Sequence, residues 1–425
     1  MKALSKAGNF LHAGSLRSQW IAGAIILFLP FAAVYIYTSG LTKGLNPVFS
    51  VDEPRYHYPT ILNFAKQLPF PDIRDYDSAT TPLFHILLAA LSKVIGTDVH
   101  HLRLVNFFIT YFSVVFLFFI LIRRFKATPR VSLLYAMIFA LSPYYFREAF
   151  VILTDNLPLL WLLCFFNYYF RYKAERKQHL LLLSLFFVML LCLTRQTFLF
   201  VCLVVGIDTL LEKTTIQHKF KVFFLVLFAA IPTLSLFVLW KGLTPPGFRE
   251  AHTRDSLIDT KATLYGLSTL GFYSLFMPGV SLFTSVFQKR KLLVIAAVLC
   301  MWVVLLFFPL IKDVKDFGYL WYMAAPAPCI AGTSLLFWGL LPLGAISLLS
   351  IWNKEGFSLL LLFLLCLFLS EVPNKFIFQR YYDGSIILTL IFFAIRYHES
   401  NKIDFYRRIV LIAFFIIYFV VFTVA

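Results

Sequence analysis

The stretch Val51-Asp52-Glu53-Pro54-Arg55-Tyr56-His57-Tyr58 sets two adjacent carboxylates beside a guanidinium, an imidazole and two phenols. A carboxylate held near cations is what deprotonating a hydroxyl requires, because the base must stay ionised within reach of its proton donor. Asp52 is the candidate base, with Glu53 as its catalytic partner and Arg55 and His57 as substrate contacts. Asp72, Asp75 and Asp77 follow, and Asp77 leads into Thr80-Thr81-Pro82. Asp77, Thr80 and Thr81 join the candidate substrate contacts. Solvated loop carboxylates are the competing reading of the same residues.

Farther along, cations recur beside turns. Arg195 and Gln196, in Thr194-Arg195-Gln196-Thr197, could recognise a phosphate or a sugar hydroxyl, since a guanidinium fork matches phosphate oxygens. The alternative for Arg195 is an interfacial side chain reaching toward lipid headgroups. Arg249, His252 and Arg254 lie in a loop with a Pro-Pro-Gly turn and could grip a phosphate or gate entry, or be plainly solvated. Arg380, in Gln379-Arg380-Tyr381-Tyr382-Asp383, fits either a phosphate contact or an interfacial anchor. Arg147-Glu148 with Asp155-Asn156 reads as an internal ion pair rather than a substrate contact.

The elements that position these residues are hydrophobic. The 425-residue chain is 60% hydrophobic and 14% charged, with 50 Phe and a mean hydropathy of +0.82. Soluble chains carry about 45–50% apolar and about 25% charged residues, so this is an all-α polytopic membrane protein. A β-barrel is excluded because the apolar stretches are continuous rather than alternating. The net charge of +17 sits in short clusters between apolar runs, which reads as an orientation signal rather than nucleic-acid binding. The six cysteines lie in or beside apolar runs, without paired or metal-ligand spacing. The N-terminal stretch leads into a first span that reads as retained.

Apolar runs predict thirteen spans, near 20–38, 102–122, 131–149, 152–170, 179–193, 196–212, 220–240, 266–287, 292–311, 328–350, 357–371, 383–397 and 408–424. The stretch 82–95 is also apolar, but fourteen residues make about 21 Å of helix against a core of about 30 Å. With that stretch excluded and the N-terminus inside, 22 of the 38 Lys and Arg fall on inner segments, including every tight cluster. Counting it as a span would move most clusters outside, against the positive-inside rule. The outer segments are then the first loop 39–101, turns near 144–156 and 194–196, loop 241–265, and 312–327 and 371–383. Within the first loop, Ile61, Leu62, Ala65 and Leu68 mark an amphipathic helix over 59–68, lying in the interface plane. Thr81 is the expected N-cap, and Pro82 the first-turn proline, of a second surface helix.

An acidic pair just after the first span, two juxtamembrane helices and about thirteen spans resemble the GT-C superfamily of integral-membrane glycosyltransferases. Asp77-Ser78-Ala79-Thr80-Thr81-Pro82 and Arg195-Gln196-Thr197 are similar to motifs of the dolichyl-phosphate-glucose α-1,2-glucosyltransferases. Asp52-Glu53-Pro54-Arg55-Tyr56 is closer to the aminoarabinose and protein-mannosyl transferase branches, and Leu83 stands where the glucosyltransferases have Gly.

The resemblance implies a catalytic module over 1–265 and a variable transmembrane module over 266–425. It implies a polyprenyl-phosphate-sugar donor, glucose-like favoured, a lipid-linked or envelope glycan acceptor, membrane lipids around the chain, and Asp52 as base. The site would face the periplasm from a bacterial inner membrane, or the lumen of the endoplasmic reticulum if the protein is eukaryotic. No cofactor or metal is required, because Arg and Lys can neutralise a departing phosphate, although Asp52-Glu53 could bind a divalent cation. A lipid-linked-sugar flippase or secondary transporter is the alternative. It predicts internal repeats and polar residues within broken spans, whereas the acids here cluster in loops.

Overall fold

The computed structural model describes residues 16–41, 51–252, 260–277, 280–313, 316–397 and 402–421. Among the described residues the architecture is all-α, apart from one two-stranded hairpin. The chain forms two compact units, Met1–Arg195 with Arg408–Ala425, and Gln196–Arg407. Among the described residues, five helices are long and apolar enough to cross a membrane, and five more apolar helices are 10–17 residues long.

In the first unit, α1 (Leu16–Leu41) is followed by a π-helical turn, Glu53–His57, that runs into α2 (Tyr58–Gln67). Then come α3 (Leu83–Ile95), α4 (Val99–Arg123), α5 (Pro129–Leu141), α6 (Pro143–Glu148), α7 (Asn156–Glu175) and α8 (Gln178–Thr194). Caps set the boundaries: Asp98 accepts from the His100 amide at 2.8 Å to open α4, and Thr128 caps α5 with Pro129 in its first turn. The span expected over 131–149 is instead two helices. Pro143 cannot continue α5, and Ser142 turns the chain out of helical geometry ahead of it. An aromatic cluster holds this unit together: Phe31 meets Phe107 at 5.9 Å and Phe146 at 5.0 Å, and Phe146 meets Phe419 at 4.9 Å.

The segment from α2 through α3 returns to where it began. Its two ends touch, because the Tyr58 hydroxyl at the start of α2 donates to the Thr97 carbonyl just past α3, at 2.9 Å. The apolar face of α2 is covered by protein: Ile61, Phe64 and Ala65 are buried and α2 packs on α3. Thr81 does not cap α3 either. Its buried hydroxyl reaches α8, donating to the Cys192 carbonyl at 2.9 Å, and Pro82 occupies the cap position.

The second unit contains α9 (Phe200–Leu211), α10 (Ile216–Trp240), α11 (Thr260–Ser274), α12 (Val280–Phe307), α13 (Tyr319–Ala324), α14 (Leu335–Glu355), α15 (Leu359–Ser370) and α16 (Arg380–Arg396). The last helix, α17 (Lys402–Phe419), begins here, and its residues from Arg408 onward belong to the first unit. α10 shows the membrane pattern plainly. Phe220, Phe224, Phe228, Ile231 and Val238 line an exposed apolar face, and Val222, Val226, Ala229 and Trp240 a buried one. α11 and α14 cross at two glycines: a β-carbon at Gly271 would overlap the Leu340 carbonyl oxygen, and one at Gly344 that of Leu267. Backbones approach this closely only where the side chain is absent.

Two expectations about this unit change. The basic cluster Lys289-Arg290-Lys291 is not a loop between spans 266–287 and 292–311 but lies inside α12, at a kink on Arg290. The Arg290 guanidinium donates to Asn353 at 3.1 Å and lies 4.6 Å from the Trp352 ring centroid. The run expected as a span over 328–350 starts instead with the hairpin β1 (Cys329–Ile330) and β2 (Thr333–Ser334), turned by Ala331 and Gly332, both at positive φ. Segments that the charge bias places on one side do meet. Phe317 and Phe378 form a parallel bridge between 312–327 and 371–383, while Arg396 pairs with Glu355 at 2.9 Å among the segments placed on the other side.

Candidate functional site

The acidic pair sits on the π-helical turn. A π turn is wider than an α turn and is rare, and such turns are frequent at functional sites. Here it divides the two carboxylates. Glu53 is 2% exposed and fully engaged: its Oε1 accepts from Arg103 Nε at 2.9 Å and from the Ile152 amide at 2.8 Å, and its Oε2 from Arg103 Nη2 at 2.5 Å. Asp52 precedes the turn in its N-cap position, partly exposed. Of the adjacent acids, one is locked inward and the other is left at the rim.

Arg103 lies one turn into α4, and three residues on, buried Asn106 donates to the carbonyls of Glu148 at 2.7 Å and Val151 at 2.6 Å. This ties the 143–155 segment to the acidic turn. Asp155 pairs with Arg195 at the end of α8, where the chain leaves the helix in extended geometry. The internal pairing expected between Arg147-Glu148 and Asp155-Asn156 is thus replaced by Asp155–Arg195, and Arg195 is not a lone cation reaching for headgroups. Segments 51–58, 147–155 and 195 converge on one end of the unit.

His57 closes the π turn, and its Nδ1 lies 2.9 Å from Nε2 of His85 on α3. His85 is buried among Phe64, Tyr76 and Phe84. Burial, and then the His57 ring, hold the His85 imidazole well below the usual histidine range. Two imidazoles at this distance share one hydrogen bond, one nitrogen donating and the other accepting.

The remaining expected site residues are placed as follows. Arg55 is exposed, 5.3 Å from the Tyr56 ring centroid. Asp77 is exposed, its carbonyl accepting from the Thr60 hydroxyl at 3.1 Å. The Thr80 hydroxyl is 3.1 Å from that of Ser78, and the Thr80 carbonyl accepts from Tyr76. Nearby, two hydrogen bonds from Arg74 bring the exposed Asp72 carboxyl down to about 2. Gln196, Arg249 and Arg380 belong to the second unit. Gln196 donates to the Leu243 carbonyl at 3.2 Å. Arg249 donates to the Trp240 carbonyl, closing the end of α10. Arg380 sits on aromatic faces, 4.8 Å from the Phe378 centroid and 5.6 Å from that of Tyr381. Backbone His252 ends the four-residue helix Arg249–His252, while its side chain and Arg254 lie outside the described residues.

The second unit has a polar cluster of its own. Gln379 Oε1 accepts from the Tyr265 hydroxyl at 3.0 Å and the Leu320 amide at 3.1 Å, and its Nε2 donates to Asp383 at 3.2 Å. Tyr319 and Tyr273 share a hydroxyl–hydroxyl bond, and Lys261 pairs with Asp316.

Sequence reasoning overlooked Arg103, Asn106 and His85 as parts of the site. A signal existed for the first two: a charge and an amide three residues apart inside an apolar helix mark an interior polar face. Among the described residues, no group of three or more His, Cys, Asp or Glu is arranged to hold a metal ion. No protein-family model matches the chain, and no curated protein or solved structure is detectably similar to it.

Proposed function

We propose that this protein is a membrane glycosyltransferase with a GT-C-like bundle of about thirteen spans, moving a hexose from a polyprenyl-phosphate carrier to a lipid-linked or envelope glycan acceptor. Its site would lie on the extracytoplasmic face of a plasma membrane, or on the lumenal side of the endoplasmic reticulum. The observation that carries the reading is the division of the acidic pair: Glu53 anchored by Arg103 and the Ile152 amide, Asp52 left partly exposed beside it.

In this reading Asp52 accepts the proton of an acceptor hydroxyl while that oxygen attacks the anomeric carbon. The bond from that carbon to the phosphate oxygen breaks with inversion, and the polyprenyl phosphate departs with the electron pair. Glu53 is a positioning residue here: its three accepted hydrogen bonds fix the turn that presents Asp52.

The test is transfer by purified protein across polyprenyl-phosphate glucose, mannose and aminoarabinose donors. Asp52→Asn lowers turnover about 10²- to 10⁴-fold, the usual contribution of a positioned base, while the folded protein purifies normally. Wild-type turnover in that variant removes Asp52 as the base. A second reading, a lipid-linked-sugar flippase, draws on the buried Asp383 within α16, 1% exposed. Lipid-linked sugar crossing vesicles without donor consumption would favour it.

A further inference from the structure

Three arginines lie near the polar end of the first unit, Arg103 buried and Arg147 and Arg195 partly so, and they are not equivalent. Arg103 is matched by Glu53 and Arg195 by Asp155. Arg147 has no carboxylate partner among the described residues. Its contact is the ring of Tyr144, 5.5 Å from the guanidinium carbon, and its buried Nε meets no hydrogen-bond acceptor. The flanking residues Tyr145, Phe146 and Glu148 are 2%, 3% and 1% exposed, so this is no side chain trailing in solvent. A guanidinium cannot shed its charge, and leaving one partly buried without an anion is unfavourable.

The segment bearing it is also fixed. Asn106 binds the carbonyls of Glu148 and Val151, the Tyr145 hydroxyl donates to the Thr110 carbonyl at 3.1 Å, and the Ile152 amide binds Glu53. Arg147 is therefore pre-set on the same scaffold that holds the acidic turn, with N–H donors left over for a tetrahedral anion.

We propose that Arg147 is the anion-binding arginine of this site and takes the phosphoryl group of a lipid phosphate. This deepens the transferase reading and rests on it for the identity of the lipid. Free phosphate offers the same chemistry, so the probes must separate the two sources.

The experiment measures binding of farnesyl phosphate, farnesol and inorganic phosphate to the full-length protein in detergent. Arg147→Gln is expected to weaken farnesyl phosphate at least tenfold and leave farnesol unchanged, with Arg147→Lys in between. Tight farnesyl phosphate against weak inorganic phosphate identifies the lipid-borne group, and the reverse order overturns the lipid assignment. Phenylglyoxal labelling of wild-type Arg147, read on its peptide by mass spectrometry, covers the case of a variant that does not fold: farnesyl phosphate is expected to slow it and farnesol not. Wild-type affinity in Arg147→Gln, or a labelling rate indifferent to farnesyl phosphate, overturns the proposal. Arg147-dependent binding without transfer from any donor sinks the transferase reading and leaves the anion site. Transfer unimpaired in Arg147→Gln does the opposite.

Discussion

The two units solve the problem of buried polar groups differently. In the first, carboxylates face guanidinium groups: Glu53 with Arg103, and Asp155 with Arg195. In the second, a neutral amide stands at the centre, with Gln379 joining Tyr265, the Leu320 amide and Asp383. Members of that cluster are sealed: Tyr265, Tyr319 and Gln379 are 0% exposed, and Asp383 1%. The charged cluster ends in residues at its rim, Asp52 and Arg147. A group must reach its substrate to act on it, so the rim of the first cluster is where chemistry is accessible, whereas the second cluster chiefly fixes the joint between 316–320 and 377–383.

The comparison can be broken most sharply at Arg103. Arg103→Met leaves Glu53 buried and uncompensated, and should lower unfolding free energy by about 3–5 kcal/mol. Adding Glu53→Gln should recover part of the loss in a double-mutant cycle. A loss under about 1 kcal/mol would mean that the clamp does not hold the turn. Asp52→Asn in the same thermal scan should barely move, which separates the rim residue from its anchor.

A smaller effect is expected in the second unit. Gln379→Ala strands the Leu320 amide and the Tyr265 hydroxyl, costing about 1–3 kcal/mol, and should leave farnesyl phosphate binding unaltered. Equal loss of binding would mean that this cluster belongs to the site.

The smallest effect is on pH. His85 in the fold sits well below the free value of 6.5, so below that pH the unfolded chain binds more protons than the folded one. Stability is therefore present above 6.5 and is lost as pH falls from 6.5 toward the folded value. Melting temperatures measured from pH 7.5 to 5 should decline, and His85→Phe should flatten the slope. An unchanged slope in that variant would place the acid sensitivity elsewhere.

Much of the fold was legible because hydropathy and charge are local quantities. The run expected over 220–240 lies within α10, Ile216–Trp240, and was read directly from composition. The short run 82–95 was excluded on length, and it forms a helix of 13 residues, Leu83–Ile95. The break at Pro143 and the kink at Arg290 were missed, because a hydropathy window averages across single residues. The acidic turn was visible as a candidate, but its division was not: that division depends on a π turn and on Arg103, fifty residues away.

By itself the sequence determined a helical, membrane-type chain, the grouping of its polar segments and the residues worth suspecting. Only the tertiary structure decided how the charges pair. Arg195 read as a contact to phosphate or headgroups and is matched by Asp155, whereas Arg147 read as part of an internal ion pair and has no carboxylate partner among the described residues. The physical reason is that helix periodicity reaches a few residues, whereas an ion pair forms between whichever side chains packing brings within about 4 Å. At this polar end, packing set Glu53 against Arg103 and left Asp52 and Arg147 at the edge.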